Sequence, residues 1–490
     1  MSEISKLRVL ELYSGIGGMH YALKESGLPF EVIAAIDVNT TANQIYRHNF
    51  KETYLMECGI ETLTVTQIDR MKIDMILMSP PCQPFTRVGK KLDSEDLRTK
   101  SFLHLLDLLP QLTHCPSYVL VENVKGFEES QTRDILIKSL TRCNFTIQEY
   151  LLSPLQFGVP NSRLRYYLNA KRHQQDQDCT WPEASEICQD IPSIVGPYLK
   201  YRISCDNEKT CNHSYPEEET LTSGKLLEDT VAPNECKSKQ DNVKIFPDIS
   251  NEENESTSNN EEKEINCDSE QCADNEENID KTSCTKKLKT KHLNDTEQDA
   301  KHHKEEDNCR LCINDYHLLE EGQMMRQDNV TEVTDNKCLQ LKSFMEEEDP
   351  EYFNKYKVPD KDLKRFIVMD VVLPFVRKSI CFTKRYGHYM EGAGSIIQMS
   401  TDIEPVRKAI ELKSEALKKK NNKSWGEREI SIIRNLNLRY FTPREIANLL
   451  CFPSTFSFPE DVSTIQSYRV LGNSLNVHVV SVLLRLLTMK

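Results

Sequence analysis

Apolar and polar positions along residues 6–170 form short alternating blocks, each typical of either a buried strand or a helix with one apolar face. The continuous apolar runs have the length of strands that are covered on both faces, as in a parallel sheet. The predicted strands are 7–13, 31–36, 54–56, 73–78, 118–121, 146–151 and 163–168. The predicted helices are 19–24, 40–46, 64–70, 101–112 and 131–140. Because the two kinds of block alternate, the sequence predicts an α/β fold with a doubly wound, mostly parallel sheet.

The pattern fades after residue 171, and residues 205–345 are polar and poor in aromatic side chains. Within them, residues 251–310 carry 18 acidic against 9 basic residues, and so account for 9 of the chain's 14 excess negative charges. This window has no aromatic residue and cannot bury enough apolar surface to offset the entropy of an ordered chain. We therefore expect a long disordered insertion, and the net charge describes the folded part poorly.

Ordered patterns return near Tyr352. Residues 366–376 and 379–383 predict short strands. Thr442 begins a predicted helix, because it is followed by proline at the first helical position and by glutamate at the capping-box spacing. An apolar helix over 477–487 needs a core against which to pack, and the N-terminal sheet is the obvious candidate.

A single cysteine, Cys82, follows the predicted strand 73–78 in a loop that contains three prolines. Proline fixes φ and removes a backbone donor, so this loop is stiff and is neither strand nor helix. In open α/β sheets, ligands bind at the carboxyl ends of the strands. Cys82 is therefore placed to act as a nucleophile, with a buried structural cysteine as the alternative.

A glycine loop containing Gly15, Gly17 and Gly18 joins the first predicted strand to the first helix, as in nucleotide-binding α/β units. Its spacing is not that of dinucleotide enzymes, so a pyrophosphate is not indicated, and a simple tight turn is the alternative. Asp37 ends the second strand about twenty residues later, where an acidic side chain binds ribose hydroxyls. A helix N-cap is the alternative for Asp37.

Charged residues also mark two later strands. Glu122 ends the strand 118–121 and is a candidate acid, with a turn cap as the alternative. Arg163 and Arg165 begin the strand 163–168 and share one of its faces. Residues 385–389 form a basic and aromatic patch that suits base stacking and phosphate contacts, although an ordinary loop has a similar composition.

The sequence has 17 cysteines, shows no signal segment and has no apolar run near the length of a membrane span. Together these features favour a soluble intracellular protein with reduced thiols. Cys309 and Cys312 have the spacing of half a zinc site, but a second pair at matching spacing is missing. We therefore expect no metal and no membrane partner.

Together these motifs resemble the cytosine C5-methyltransferases, in which they occur in the same order. The shared motifs are the glycine loop at 14–18, Pro-Cys-Gln at 81–83, Glu-Asn-Val at 122–124, Arg-x-Arg at 163–165 and Gly-Asn-Ser at 472–474. Residues 381–389 and 472–480 are similar to the subfamily that modifies cytosine 38 in the anticodon loop of tRNA(Asp). The resemblance covers 1–172 and 346–490, and the acidic segment and Lys384-Arg385 depart from the subfamily pattern.

The resemblance implies S-adenosylmethionine as the cofactor and a sheet of the type found in methyltransferases that use it. It makes Cys82 the nucleophile that adds to C6 of the base and Glu122 the acid at N3. Arg163 and Arg165 hold the ring carbonyl and the loop. The implied cofactor-binding residues are Ile16, Gly17, Gly18, Asp37, Ile60, Glu61, Ser79 and Ser474.

The resemblance also implies a domain organisation and partners. The expected parts are a catalytic domain (1–172), the start of a target-recognition region (173–204), the insertion (205–345), a small mixed target-recognition domain (346–435) and a C-terminal return to the catalytic domain (436–490). We expect tRNA(Asp) as the partner of a monomer, with weak DNA binding and with DNA as the alternative substrate. The expected location is cytoplasmic, with a nuclear fraction as a further expectation.

Overall fold

The computed structural model describes residues 6–81, 99–172, 186–192, 338–418 and 425–489. All of them belong to one unit made of residues 1–206 and 302–490. Cys82, the cysteine pair at 309 and 312, and most of the predicted insertion 205–345 lie outside the described residues. Residues 338–345, which the sequence assigned to the insertion, are packed into the fold, with Cys338 and Leu341 fully buried.

A seven-stranded sheet is the centre of the fold. Its strands are β1 (Leu7–Leu12), β2 (Phe30–Ile36), β3 (Leu55–Met56), β4 (Met75–Met78), β5 (Tyr118–Val124), β6 (Phe145–Leu152) and β7 (Arg165–Arg172). They lie in the order β3-β2-β1-β4-β5-β7-β6. The strands β1 to β5 pair in parallel, and β7 runs antiparallel to both of its neighbours. The prediction of a doubly wound, mostly parallel sheet is confirmed.

Helices cover both faces of this sheet. The α-helices of the described residues are α1 (Gly18–Ser26), α2 (Thr40–Asn49), α3 (Val65–Met71), α4 (Lys100–Leu108), α5 (Gln131–Arg142), α6 (Asp360–Leu363), α7 (Ile403–Lys418), α8 (Glu427–Arg434), α9 (Pro443–Leu449), α10 (Thr464–Asn473) and α11 (Val477–Thr488). Successive strand residues serve opposite faces, since Val9 packs in the cluster with α1, α2 and α11, and Leu10 packs with α3, α4 and α5. The apolar runs noted in the sequence are thus strands covered on both sides.

A second, three-stranded sheet contains β8 (Asp370–Val372), β9 (Ser395–Gln398) and β10 (Leu438–Tyr440), in the order β10-β9-β8. It is mixed, because β8 and β9 are parallel whereas β9 and β10 are antiparallel. The predicted strand over 366–376 shortens to β8. The predicted strand over 379–383 is wrong, because Ser379 hydrogen-bonds instead with Pro160 (3.0 Å) and Ser162 (2.8 Å), in the chain ahead of β7.

The C-terminal helices complete the core. Helix α11 packs against α1, and Asn169 in β7 donates to the carbonyl oxygen of Leu483 at 3.0 Å. By length and composition, one helical stretch of the described residues, Thr464–Thr488, could cross a membrane, which the sequence analysis did not recognise. However, 78% of its most apolar window is buried inside the fold, so its apolar character is explained by packing on the sheet.

Candidate active site

A cavity of about 710 Å³ lies at the edge of the large sheet where β1, β2, β4 and β5 end. Its wall contains most of the site residues predicted from the sequence: Ile16, Gly18, Asp37, Ile60, Glu61, Ser79, Glu122, Arg163, Arg165 and Ser474. The wall also includes Pro81, the last described residue before Cys82, whose position lies outside the described chain. The structure therefore brings residues from both ends of the chain to one cavity.

Gly17 shapes the glycine loop from behind the cavity wall. Its backbone has φ +84°, which favours glycine, and its N–H donates to the carbonyl oxygen of Ser14 at 2.9 Å. A Cβ on Gly17 would lie 2.2 Å from Cε2 of Phe50. Both the backbone conformation and the packed ring therefore require glycine at this position.

Asp37 braces the same loop. Its Oδ2 accepts the N–H of Gly15 at 2.8 Å, and its Oδ1 accepts the N–H of Asn39 at 2.8 Å. Burial raises the pKa of Asp37, and the backbone hydrogen bonds oppose that rise. Each carboxylate oxygen keeps a further acceptor position, which leaves room for a ribose hydroxyl. The N-cap of α2 is Asn39, whose side chain accepts from the N–H of Ala42, so the cap alternative for Asp37 does not apply.

An apolar end of the cavity lies beside Asp37. Ile60 is buried at the start of a short 3₁₀ turn, and the Val38 side chain is 68% exposed. Both line the cavity. A large apolar side chain exposed at a cavity wall is a candidate surface for a flat ring. Val38 is not among the site residues predicted from the sequence, because exposure at a strand end is visible only in the structure.

Glu122 is the candidate acid at the other end. It is buried in β5, its Oε1 lies 3.5 Å from Nε of Arg165, and its carboxyl group hydrogen-bonds to the side chain of Ser79. Burial raises the pKa of Glu122, while the charges of Arg165 and Arg163 oppose the rise. The carboxyl group therefore keeps its proton to a higher pH than an exposed glutamate, as a proton donor requires.

Arg163 lies just before β7, which begins at Arg165, and connects three parts of the chain. It is 3% exposed and donates to the carbonyl oxygens of Phe382 (3.0 Å), Gly472 (3.2 Å) and Ser474. Burial and the neighbouring Arg165 lower the pKa of Arg163. Its contacts position the C-terminal segment that closes the cavity.

The thiol of Cys381 lies between the two guanidinium groups, 3.3 Å from Nη1 of Arg163 and 3.7 Å from Nη2 of Arg165. Burial alone would raise its pKa, but the charges of Arg163 and Arg165 bring the pKa of the thiol below its usual value. In the sequence, Cys381 is visible only as part of a subfamily motif. Its position beside the two arginines depends on contacts between distant segments, which give no local signal.

The basic and aromatic patch at 385–389 divides into two parts. Tyr386 is buried, donates to the carbonyl oxygen of Ser395 at 2.7 Å and accepts from the N–H of Phe441 at 2.8 Å, so it is part of the core. The guanidinium carbons of Arg365 and Arg385 lie 5.1 Å and 5.7 Å from the ring centre of Tyr389. The second part, with the half-buried Tyr389 and the exposed Arg365 and Arg385, is available to a ligand.

No group of three or more histidine, cysteine or acidic side chains with metal-binding geometry occurs among the residues that the structure describes. The cysteine pair at 309 and 312 lies outside them.

The carboxyl edge of this doubly wound sheet carries a glycine loop, an aspartate that braces the loop, and a buried acid beside two arginines. This arrangement defines an α/β enzyme of the class that binds nucleotide cofactors. The chain belongs to the C-5 cytosine-specific DNA methylase family, whose sequence model matches residues 7–275 and 249–488. It is therefore a cytosine C5-methyltransferase by family, which confirms the resemblance seen in the motifs.

Individual relatives agree over nearly the whole chain. It is 39% identical to the tRNA (cytosine(38)-C(5))-methyltransferase of Homo sapiens, over 98% of this chain and 99% of the relative. It is 33% identical to the DNA (cytosine-5)-methyltransferase of Dictyostelium discoideum, over 99% of this chain and 95% of the relative. Its fold is similar to the crystal structure of a Spodoptera frugiperda DNMT2 mutant, with a TM-score of 0.61 and 33% identity, covering 99% of this chain and 100% of that chain.

Proposed function

We propose that this enzyme transfers a methyl group from S-adenosylmethionine to C5 of cytosine 38 in the anticodon loop of tRNA(Asp). The observation that carries the proposal is the similarity over 98% of the chain to an enzyme named for cytosine 38 of tRNA. The pair of the buried Glu122 and the half-buried Arg165 supports the chemistry, because it offers a proton and a positive charge at one end of the cavity.

The cavity fits S-adenosylmethionine in size and in the character of its wall. A volume of about 710 Å³ lies within the range of small-molecule sites. Asp37 would hold the ribose, Ile60 and Val38 would border the adenine, and Gly18 and Ser474 would face the methionine part. The cofactor supplies an electrophilic methyl group on a sulfonium centre.

The first step is addition of the Cys82 thiolate to C6 of the cytosine, which forms a carbon–sulfur bond. The displaced electron pair moves through the ring towards N3, where Glu122 donates its proton. Arg165, held beside Glu122, stabilises the negative charge on the ring carbonyl oxygen. Carbon C5 then has the electron density of an enamine and can accept the methyl group.

The remaining steps restore the aromatic ring. After C5 has gained the methyl group, a base or water removes the C5 proton. The electron pair of that bond re-forms the C5–C6 double bond as the bond to Cys82 breaks. The net change is exchange of one ring proton for a methyl group, and Glu122 recovers its proton from N3.

The RNA would approach along the surface that carries Tyr389. This ring and the flanking Arg365 and Arg385 can stack on bases and contact phosphates. A base in an anticodon loop is already partly unstacked, so turning it into the cavity costs less than in a duplex. We further propose that the enzyme acts as a monomer in the cytoplasm, with a nuclear fraction, and binds DNA weakly.

Methyl transfer from labelled S-adenosylmethionine tests the proposal. The substrates are a tRNA(Asp) transcript, the same transcript with uridine at position 38, and duplex DNA. Labelling of the first substrate alone is expected. Cys82→Ala should abolish labelling while keeping cofactor binding. Cys115→Ala changes a thiol away from the cavity and should leave labelling intact. Equal labelling of both transcripts would refute the assignment of cytosine 38.

A DNA cytosine-5 methyltransferase is the second candidate, because the Dictyostelium relative carries that name. It would use the same cavity and the same residues. Preferential labelling of duplex DNA in the same experiment would support this candidate and would leave the chemistry unchanged.

A further inference from the structure

A buried polar cluster lies beneath the glycine loop and takes no part in the steps above. Glu11 in β1 and Tyr46 in α2 are 0% exposed, and His20 in α1 is 6% exposed. The Tyr46 hydroxyl lies 2.8 Å from Oε2 of Glu11 and 2.9 Å from Nδ1 of His20. The three side chains therefore form one chain of hydrogen bonds inside the core, and the side chain of Thr53 adds a further hydrogen bond to Tyr46.

Glu11 also supplies a helix cap that α1 cannot make for itself. The N-cap residue of α1 is Gly17, which has no side chain to cap the helix. Oε1 of Glu11 accepts the backbone N–H of His20, the third residue of the helix, at 3.3 Å. A cap from a neighbouring strand thus satisfies one of the open donors of the first turn.

The protons of the cluster can be arranged in two ways. If Glu11 is neutral, its hydroxyl donates to the oxygen of Tyr46, and Tyr46 donates to His20. If Glu11 is ionised, Tyr46 donates to Glu11, and the other tautomer of His20 donates to Tyr46. Ionisation of Glu11 therefore reverses the hydrogen bonds of the whole cluster.

The surroundings favour the neutral arrangement near neutral pH. Burial raises the pKa of Glu11 to about 8, with Asp37 adding to the rise and the hydrogen bonds from Tyr46 and His20 opposing it. Burial, with a smaller contribution from Lys24, lowers the pKa of His20 to about 3. No lysine or arginine of the described chain forms an ion pair with Glu11. The N-terminus of α1 favours a negative charge, but burial outweighs it.

The cluster is connected to the cavity wall through an aromatic stack. The ring of His20 lies on the ring of Phe50, with centres 3.9 Å apart and an angle of 12° between the planes. Phe50 is the residue that a Cβ on Gly17 would meet. Gly18 and Met19, which follow Gly17 in the chain, line the cavity. A change in the cluster therefore acts on the wall that faces the cofactor.

We propose that Glu11 is a positioning residue for the cofactor loop, and that it holds the first turn of α1 in the binding geometry only while its carboxyl group is protonated. The inference rests on the proposed function in taking the cavity as the cofactor site. An ionised carboxylate without a buried cation draws in water or shifts the turn that it caps. Cofactor affinity should therefore fall as the pH rises through the pKa of Glu11, by about tenfold between pH 7 and pH 9 for a single group that titrates near 8.

Calorimetric binding of S-adenosylhomocysteine to the full chain between pH 6.5 and pH 9.5 tests this inference. The wild-type protein should lose affinity about tenfold between pH 7 and pH 9. Glu11→Gln should show a smaller loss, because its amide is neutral throughout and keeps both hydrogen bonds. Glu31→Gln, which changes an exposed glutamate, is the matched control and should follow the wild type. Titration of the ligand's own amino group is common to all variants and cancels in the comparison.

Tyr46→Phe provides a second variant. It removes the hydroxyl that donates to the ionised carboxylate, so the loss of affinity should move to higher pH. A wild-type affinity that is flat from pH 7 to pH 9, or an undiminished loss in Glu11→Gln, would overturn the inference. Absence of binding at pH 7 would instead refute the cofactor assignment, so the two failures are distinguishable.

Discussion

Replacing Arg163 with lysine tests whether this residue holds the site together or acts in the reaction. Its guanidinium group donates to three carbonyl oxygens, those of Phe382, Gly472 and Ser474, and to the thiol of Cys381. These partners lie in two segments that are distant in sequence. A lysine keeps the charge but donates from a single point, so it cannot reach both segments.

The expected loss of stability follows from these contacts. A hydrogen bond from a charged donor contributes about 1.5–3 kcal/mol, so losing two of them costs about 3–6 kcal/mol. Nε of Arg163 is buried without a partner among the described residues. Removing it regains about 1–2 kcal/mol, which leaves a net loss of about 1–5 kcal/mol. At roughly 2 °C per kcal/mol, Tm should fall by about 2–10 °C.

Thermal unfolding and cofactor binding are the assays, with Arg165→Lys as the matched control. Arg165 donates to the carbonyl oxygen of the adjacent Leu164, pairs with Glu122 and lies 3.7 Å from the Cys381 thiol. These contacts include no carbonyl oxygen of a distant segment, so its replacement should lower Tm less than that of Arg163 while reducing turnover. Arg163→Lys should lower both Tm and cofactor affinity, because the segment with Ser474 loses its anchor. A variant with wild-type Tm and cofactor affinity but no turnover would refute the reasoning.

Three further predictions concern other parts of the site and fold. Gly17→Ala should weaken cofactor binding in calorimetry, because alanine is strained at the positive φ of this position and its Cβ clashes with Phe50. Adding Phe50→Leu should recover part of the lost affinity, and equal affinities for the single and double variants would exclude the clash. Glu445→Gln should reduce the free energy of unfolding in urea by about 3–5 kcal/mol, because it leaves the buried Arg439 unpaired; an unchanged urea midpoint would contradict this. With protonated Glu122 as the acid, a pH–rate profile should show turnover falling as the pH rises through the raised pKa of Glu122. Glu122→Gln should lose turnover but keep its affinity for the cofactor in a binding measurement.

Much of the fold could be predicted because local signals and packing agree. The strands buried on both faces are continuous apolar runs, and the helix after Thr442 begins at the predicted capping box. The ends of β1, β2, β4 and β5 carry the predicted chemistry, because parallel strands present their carboxyl ends together. These inferences need only the alternation of elements and the identity of the residue at each end.

Features that depend on distant contacts could not be predicted. Residues 379–383 are rich in β-forming side chains, yet they form an isolated bridge to Ser162 in place of a strand. The N–H groups of Ile380 and Thr383 donate to the Ser395 side chain and to the carbonyl oxygen of Ala393. Helix α10 was missed because its buried apolar side chains lie only from Tyr468 onwards, and its last residues, Gly472 and Asn473, are typical of a loop. Cys381 lies between Arg163 and Arg165 because segments more than 200 residues apart in the sequence pack together. Such long-range contacts leave no periodic signal in the sequence.

The antiparallel direction of β7 decides which of its two basic ends serves the reaction. Arg165 begins the strand opposite Val124, the last residue of β5, whereas Lys171 pairs with Tyr118 at the far edge. The eight residues of β7 span roughly 24 Å at about 3.4 Å per residue. In a fully parallel sheet, a crossover helix would precede β7, and Arg165 would face the opposite side of the molecule. A redesign that reversed this strand would therefore have to recruit its cations from Lys171 and Arg172.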